Sequence, residues 1–100
     1  MGNDMNKRAE LANWGSRINV VLREQGLLNA NGTLGSERDA LPVVVEVALD
    51  GLLETSGELN GLLKICKAAS NREPLSEVVL DAAHLMAREV CLALEEPRGA

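Results

Sequence analysis

From Val45 onward, apolar or small side chains recur four and three residues apart: Val45, Leu49, Leu52, Ser56, Leu59, Leu63, Cys66 and Ser70. This is a heptad seam of about three and a half repeats, and only a helix puts such positions on one side. Val44, Ala48, Leu53, Leu62, Ile65 and Ala69 flank the seam and widen it. A helix from near Asp39 to Ser70 would be about 45 Å long. Two further helices of a 100-residue chain cannot cover that length, whereas a second copy of the chain would. Asp39 is a suitable N-cap, and Pro42 then falls in the first turn, where its missing N–H costs little. One local signal competes. Thr55-Ser56-Gly57-Glu58 has the capping-box pattern Thr-x-x-Glu, and Gly57 and Gly61 are poor interior helix residues. A break there would make four helices; the unchanged heptad phase favours continuity and three.

The other two helices follow from the same periodicity. Over residues 6–25, Leu11, Trp14, Ile18, Val21 and Leu22 form one stripe, with most charges outside it, and Gly26 is a natural stop. Gly15 either weakens this helix or lets a neighbouring backbone come close. Residues 27–38, with Asn31-Gly32 and Gly35-Ser36, read as a plain loop because no alternating strands flank the turn signals. After the turn Ser70-Asn71-Arg72-Glu73-Pro74, with Ser70-x-x-Glu73 as a second capping box, a third helix is expected. Its apolar face is Leu75, Val78, Val79, Ala82, Leu85, Met86, Val90 and Leu94. The short turn makes residues 39–96 an antiparallel helical hairpin, followed by a fraying tail at 97–100. The expectation is a single all-α domain over residues 1–100. It consists of three helices with a long antiparallel hairpin and associates into a dimeric helical bundle. Leu49, Leu52, Leu59, Leu63, Leu85 and Val90 would supply the dimer packing.

Charge and composition exclude several functions. The net charge of −5 resides wholly in residues 41–100, because residues 1–40 carry five acidic and five basic side chains. An acidic surface repels phosphate backbones, so direct nucleic-acid binding is not expected, and a basic protein partner fits better. The longest apolar run, Leu41 to Val45, is far short of a membrane span, and the start MGNDMNKRAE is polar where a signal peptide would be apolar. Asn6 occupies the position where a myristoylation signal wants Ser or Thr. Cys66 and Cys91 are too few and too far apart for zinc. In a hairpin they fall tens of ångströms from one another, so free thiols in the reducing cytoplasm are expected. No cofactor or metal is called for.

Three features are candidates for function. Glu46, Asp50, Glu54 and Glu58, four residues apart, would form an acidic ridge on a continuous helix, either a solvated face or a docking strip for a partner's cations. Trp14 is the one aromatic residue, a core filler or a partner-facing anchor. His84 has Asp81 three residues before it and Arg88 four after. This suits a base oriented by a carboxylate, or simply an exposed polar set. No nucleophile and no glycine-rich phosphate loop accompany it, so the chain is not read as an enzyme. Gly57-x-x-x-Gly61 permits close helix crossing, although the motif is diagnostic only in membranes.

The segment VEVALDGLLETSGELNGLLKICKAASNREPLSEVVLDAAHLMAREVCLALEE, residues 45–96, resembles small bacterial helical-hairpin regulators, the quorum-sensing antiactivators of the QslA type. The likeness covers about half the chain and rests on size, acidity and the Leu/Val/Ala-rich hairpin. It carries no individual binding residue across. It implies a helical homodimer that binds a LuxR-type transcription factor such as LasR and blocks the dimerisation that factor needs to hold DNA. The residues alone also suit a small acidic helical chaperone of a secretion or assembly system. Trp14, Glu46, Asp50, Glu54 and Glu58 are the partner-binding candidates in either case.

Overall fold

The computed structural model describes residues 3–30, 32–34 and 41–95 and is all-α. Four helices follow in order: α1 Asn3–Glu24, α2 Val43–Leu49, α3 Ser56–Ser70 and α4 Glu77–Glu95. The long second helix expected from the heptad seam is therefore two helices. Asp50 (φ 46°, ψ 52°) and Gly51 (φ 89°) both adopt left-handed backbone and stop α2, and the Asp50 N–H bonds Glu46 O at 3.0 Å. Asp is among the few non-glycine residues that tolerate this region. The chain then restarts at a capping box. Thr55 Oγ1 accepts from the Glu58 N–H at 3.2 Å, while Glu58 Oε1 accepts from the Glu54 N–H and the Thr55 hydroxyl, each at 3.4 Å. The competing local signal wins over the heptad phase because it satisfies orphan N–H groups at the helix start. Pro42 is the N-cap of α2, one residue outside the expected first turn. The expected cap, Asp39, lies outside the described residues.

Two helices end in the same way. After α1, the Gly26 N–H bonds Arg23 O and the Leu27 N–H bonds Leu22 O, both at 3.0 Å, with Gly26 at φ 69°. After α3, the Arg72 N–H bonds Ala69 O at 3.3 Å and the Glu73 N–H bonds Ala68 O at 2.9 Å, with Arg72 at φ 61°. Both are Schellman closures. Ser70 is thus the last residue of α3 and not a cap of α4. Ser76 caps α4 instead, its Oγ accepting from the Val79 N–H at 3.1 Å.

α1 lies against both α3 and α4 and separates much of their length, while α2 packs on α4. Paired residues give the directions. Lys7 meets Asp81, Glu10 meets His84 and Arg17 meets Glu95, so α1 and α4 run parallel. Arg8 donates to Glu73 O at 2.9 Å and Gly15 abuts Cys66, so α1 and α3 are antiparallel. The expected hairpin of the last two helices is present in direction, with the first helix laid along it. Leu11, Ile18 and Leu22 of α1 are fully buried at its centre, joined by Leu34, Leu41, Val45, Leu49, Leu59, Leu80, Val90 and Cys91. Each full burial of such a side chain stabilises by roughly 1.5–3 kcal/mol.

The loop after α1 is more tied down than its turn-rich composition suggests. Leu34 is 1% exposed, and Asn60 of α3 brackets its peptide. Leu34 N–H donates to Asn60 Oδ1 at 2.8 Å and Asn60 Nδ2 donates to Leu34 O at 2.9 Å.

The α1–α3 crossing is set by a residue without a side chain. A Cβ built on Gly15 would stand 2.4 Å from Cys66 Cβ and 2.9 Å from Cys66 Sγ. Gly15→Ala gains helix propensity, about 1 kcal/mol, but must push the two backbones apart. The net effect is a destabilisation of about 1–3 kcal/mol, read as a lower urea midpoint. A variant as stable as the parent would show that the helices do not need this close approach.

Candidate functional site

The acidic ridge does not exist as a ridge. Glu46 is on α2, Asp50 is the C-cap that turns the chain away, Glu54 is in the connection and Glu58 is engaged in the α3 cap. Four-residue spacing aligns side chains only while a helix continues, and here the helix ends between the first and third of them.

The six residues expected to pack a dimer divide. Leu49, Leu59 and Val90 are at most 1% exposed and belong to the core of one chain; Leu63 is half-buried against that core. Leu52 and Leu85 remain exposed. The face expected on α4 is also rotated. The buried stripe is Leu80, Ala83, Ala87, Val90 and Cys91, whereas Val78 is 79% exposed, Leu85 58% and Val79 38%. α4 is apolar around most of its circumference, and its buried side carries the small residues Ala83 and Ala87. Size of side chain therefore misleads here: Ala83 and Ala87 are inside because the helices come close. The outward stripe Val78, Ala82, Leu85 and Leu92 has four-, three- and seven-residue spacing, the pattern of a helix-packing seam. α2 adds Val43, Val44 and Val47, also exposed. Single surface valines need no explanation, but a concentration of large aliphatic side chains on two contacting helices does.

Trp14 is half-buried against the core, and the Arg17 guanidinium lies over its ring, 4.9 Å from the centroid. Arg17 is held there by Glu95, which accepts from Nε at 3.0 Å and also from a terminal nitrogen of the same group. The Arg17 bond holds the Glu95 carboxyl below its usual range, so this tie is complete at neutral pH and is lost as pH falls through that lowered value. The indole Nε1 is buried and has no hydrogen-bond acceptor among the described residues.

His84 does not form a set with Asp81 and Arg88. Its Nε2 lies 2.6 Å from Glu10 Oε2 on α1, and Asp81 pairs with Lys7. Both contacts tie α4 to α1. Among the described residues no group of three or more His, Cys, Asp or Glu is placed to hold a metal, and no helix is long and apolar enough to cross a membrane.

Sequence reasoning missed a groove. A cleft of about 870 Å³ runs between α1 and α3, and no residue of α4 lines it. Ala12, Gly15, Ser16, Asn19, Val20 and Arg23 line it from α1, and Gly57, Asn60, Gly61, Leu63, Lys64, Cys66, Lys67 and Ser70 from α3. Ala30, Gly32 and Thr33 of the loop complete the lining. Its cations are Arg23, Lys64 and Lys67, and no carboxylate of the described residues lines it. The available signal was Gly57-x-x-x-Gly61. Gly61 has nothing within 4 Å of where a Cβ would be, so no described residue uses the space it leaves.

Comparison with protein-family models, with curated proteins and with solved structures finds no match to this chain.

Burial pushes both the Cys66 and Cys91 thiols up to about 11, so at pH 7 each is neutral and shielded. Labelling by a small thiol reagent at pH 7 should therefore proceed only as fast as the fold opens, accelerating in step with urea-induced unfolding; immediate labelling of either thiol would contradict the packing. Gly61→Ala should raise stability by about 0.5–1 kcal/mol, the full helix-propensity gain, because the added methyl meets nothing. A loss on thermal or urea melting would mean that the groove floor is filled in the native chain.

Proposed function

We propose that the chain is a non-enzymatic regulatory binding protein that acts in the cytoplasm as a homodimer. It would sequester a protein partner, a LuxR-type transcription factor such as LasR being the class that the hairpin's resemblance implies. The observation that carries this reading is the outward aliphatic stripe on α4, Val78, Leu85 and Leu92, together with the exposed valines of α2, a helix that packs on α4. Aliphatic surface of this kind is stable in water chiefly when another protein surface covers it. Heptad spacing on a helix of 19 residues suits a helix from a second copy. Leu52 and Leu85 are the two residues of the expected dimer set still free to take part. Of the expected partner-binding set, Glu46, Asp50 and Glu54 remain exposed on α2 and its exit, where they attract a basic partner as individual charges.

Sedimentation equilibrium at tens of micromolar should give twice the chain mass. Val78→Lys with Leu85→Lys should return it to one chain mass and weaken self-association at least about 100-fold, with helical circular dichroism unchanged because neither residue is in the core. A parent that stays monomeric removes the dimer. For the sequestering role, a LuxR-type receptor bound to its operator should lose DNA in a gel-shift assay as the chain is added in excess. An unchanged shift argues against that partner class.

A further inference from the structure

We propose that the cleft between α1 and α3 is a docking slot for a short acidic amphipathic helix of a partner protein. This rests on the reading of the chain as a partner-binding protein, and it adds a second contact, away from the acidic residues of α2 and its exit: there the partner presents an acidic segment, whatever basic surface Glu46, Asp50 and Glu54 draw elsewhere on it. The slot is lined along α1 from Ala12 to Arg23 and along α3 from Gly57 to Ser70. At 1.5 Å per residue that is about 16–20 Å, or three to four helical turns. Ser16 of α1 and Gly57 and Gly61 of α3 keep its lining low, and beside Gly61 there is open space, so an incoming helix can settle close to the α3 backbone. Val20, which is 47% exposed, and Leu63 offer aliphatic contact for its apolar side.

Two observations select the occupant. The first is charge. In a chain of net charge −5, this cleft is lined by Arg23, Lys64 and Lys67 and, among the described residues, by no carboxylate. Other cations of α1 are committed, Lys7 to Asp81, Arg8 to Glu73 O and Arg17 to Glu95, while Lys64 and Lys67 make no ion pair among the described residues. The antiparallel pairing of α1 with α3 puts Arg23 near one end and Lys67 about 13 Å along from it. A single phosphate cannot reach both, whereas carboxylates two turns or more apart on a helix can. The second observation is Gly61. A glycine in the interior of α3 weakens the helix, and the open space beside it shows that no described group of this chain requires its small size. That open space leaves room for a backbone approaching from outside.

The probe is a fluorescein-labelled 16-residue synthetic peptide with Ala and Leu on one helical face and Glu on its flanks. Its controls are the same peptide with Lys for Glu, and inorganic phosphate. Against the full chain, ¹⁵N-labelled, the acidic peptide should bind in the range of about 10–100 μM at low salt and weaken several-fold by 0.3 M salt. It should shift the amide signals of Gly15, Gly57 and Gly61. Lys64→Glu with Lys67→Glu should weaken binding at least about tenfold. Gly61→Leu, whose Cβ meets no described atom within 4 Å, should abolish binding while helical circular dichroism stays that of the parent. The proposal is overturned if the acidic and basic peptides bind alike, if neither binds at millimolar concentration, if Gly61→Leu binds as the parent does, or if phosphate alone reproduces the shifts. The gel-shift assay keeps the two readings apart. Peptide binding without any effect on the receptor leaves the slot standing and removes the LuxR-type partner. Release of DNA by the Gly61→Leu chain as efficiently as by the parent does the reverse.

Discussion

Everything in this fold is arranged around how closely α1 can approach its two neighbours. Leu11, Ile18 and Leu22 have no exposed surface because α3 covers one flank of α1 and α4 the other. The approach is close because the contact residues are small: Gly15 against Cys66 on one side, and Ala83 and Ala87 buried on the helix that forms the other. At roughly 1.5–3 kcal/mol per buried leucine or isoleucine, the three central side chains of α1 are comparable to the whole net stability of a small domain. Polar ties then set direction and register. Lys7–Asp81, Glu10–His84 and Arg17–Glu95 keep α1 parallel to α4, and Arg8 on Glu73 O fastens its start to the turn between α3 and α4.

The same geometry explains which surfaces are left over. Small residues turned inward on α4 leave its larger aliphatic side chains, Val78 and Leu85, on the outside. The two helices α1 and α3 meet at Gly15 and Cys66, and a cleft runs along their line of contact. One chain therefore presents an aliphatic seam on one side and a basic slot with a small-residue floor on the other. These chemistries suit different occupants, a second aliphatic helix and an acidic one, and the proposed dimer and the proposed partner contact would each use one of them.

Much of the fold was legible in the residues. The stripe of α1 and its Gly26 stop, the direction of the final hairpin and the all-α class follow from apolar spacing and turn chemistry, which act locally. A signal for the break in the seam was present in Thr55-x-x-Glu58, but periodicity argued against it, and the stop at Asp50-Gly51 itself went unread. Heptad phase survives a break when the connecting residues happen to keep count, so phase alone cannot separate one helix from two. The candidate site was much less legible. The acidic ridge depended on continuity that Asp50 removes, and the cleft depends on α1 and α3, which are remote in sequence.

Where helices form and which residues close them is written in the chain itself, because caps, glycines and apolar spacing operate within a few residues. So is the aliphatic character of any packing surface, since Trp14 is the one aromatic side chain. Which face of α4 is inside, which charges meet and which remain unpaired were settled only when the helices packed. Those outcomes depend on how near two helices can come, and that distance is set jointly by residues as far apart in the chain as Gly15 and Cys66.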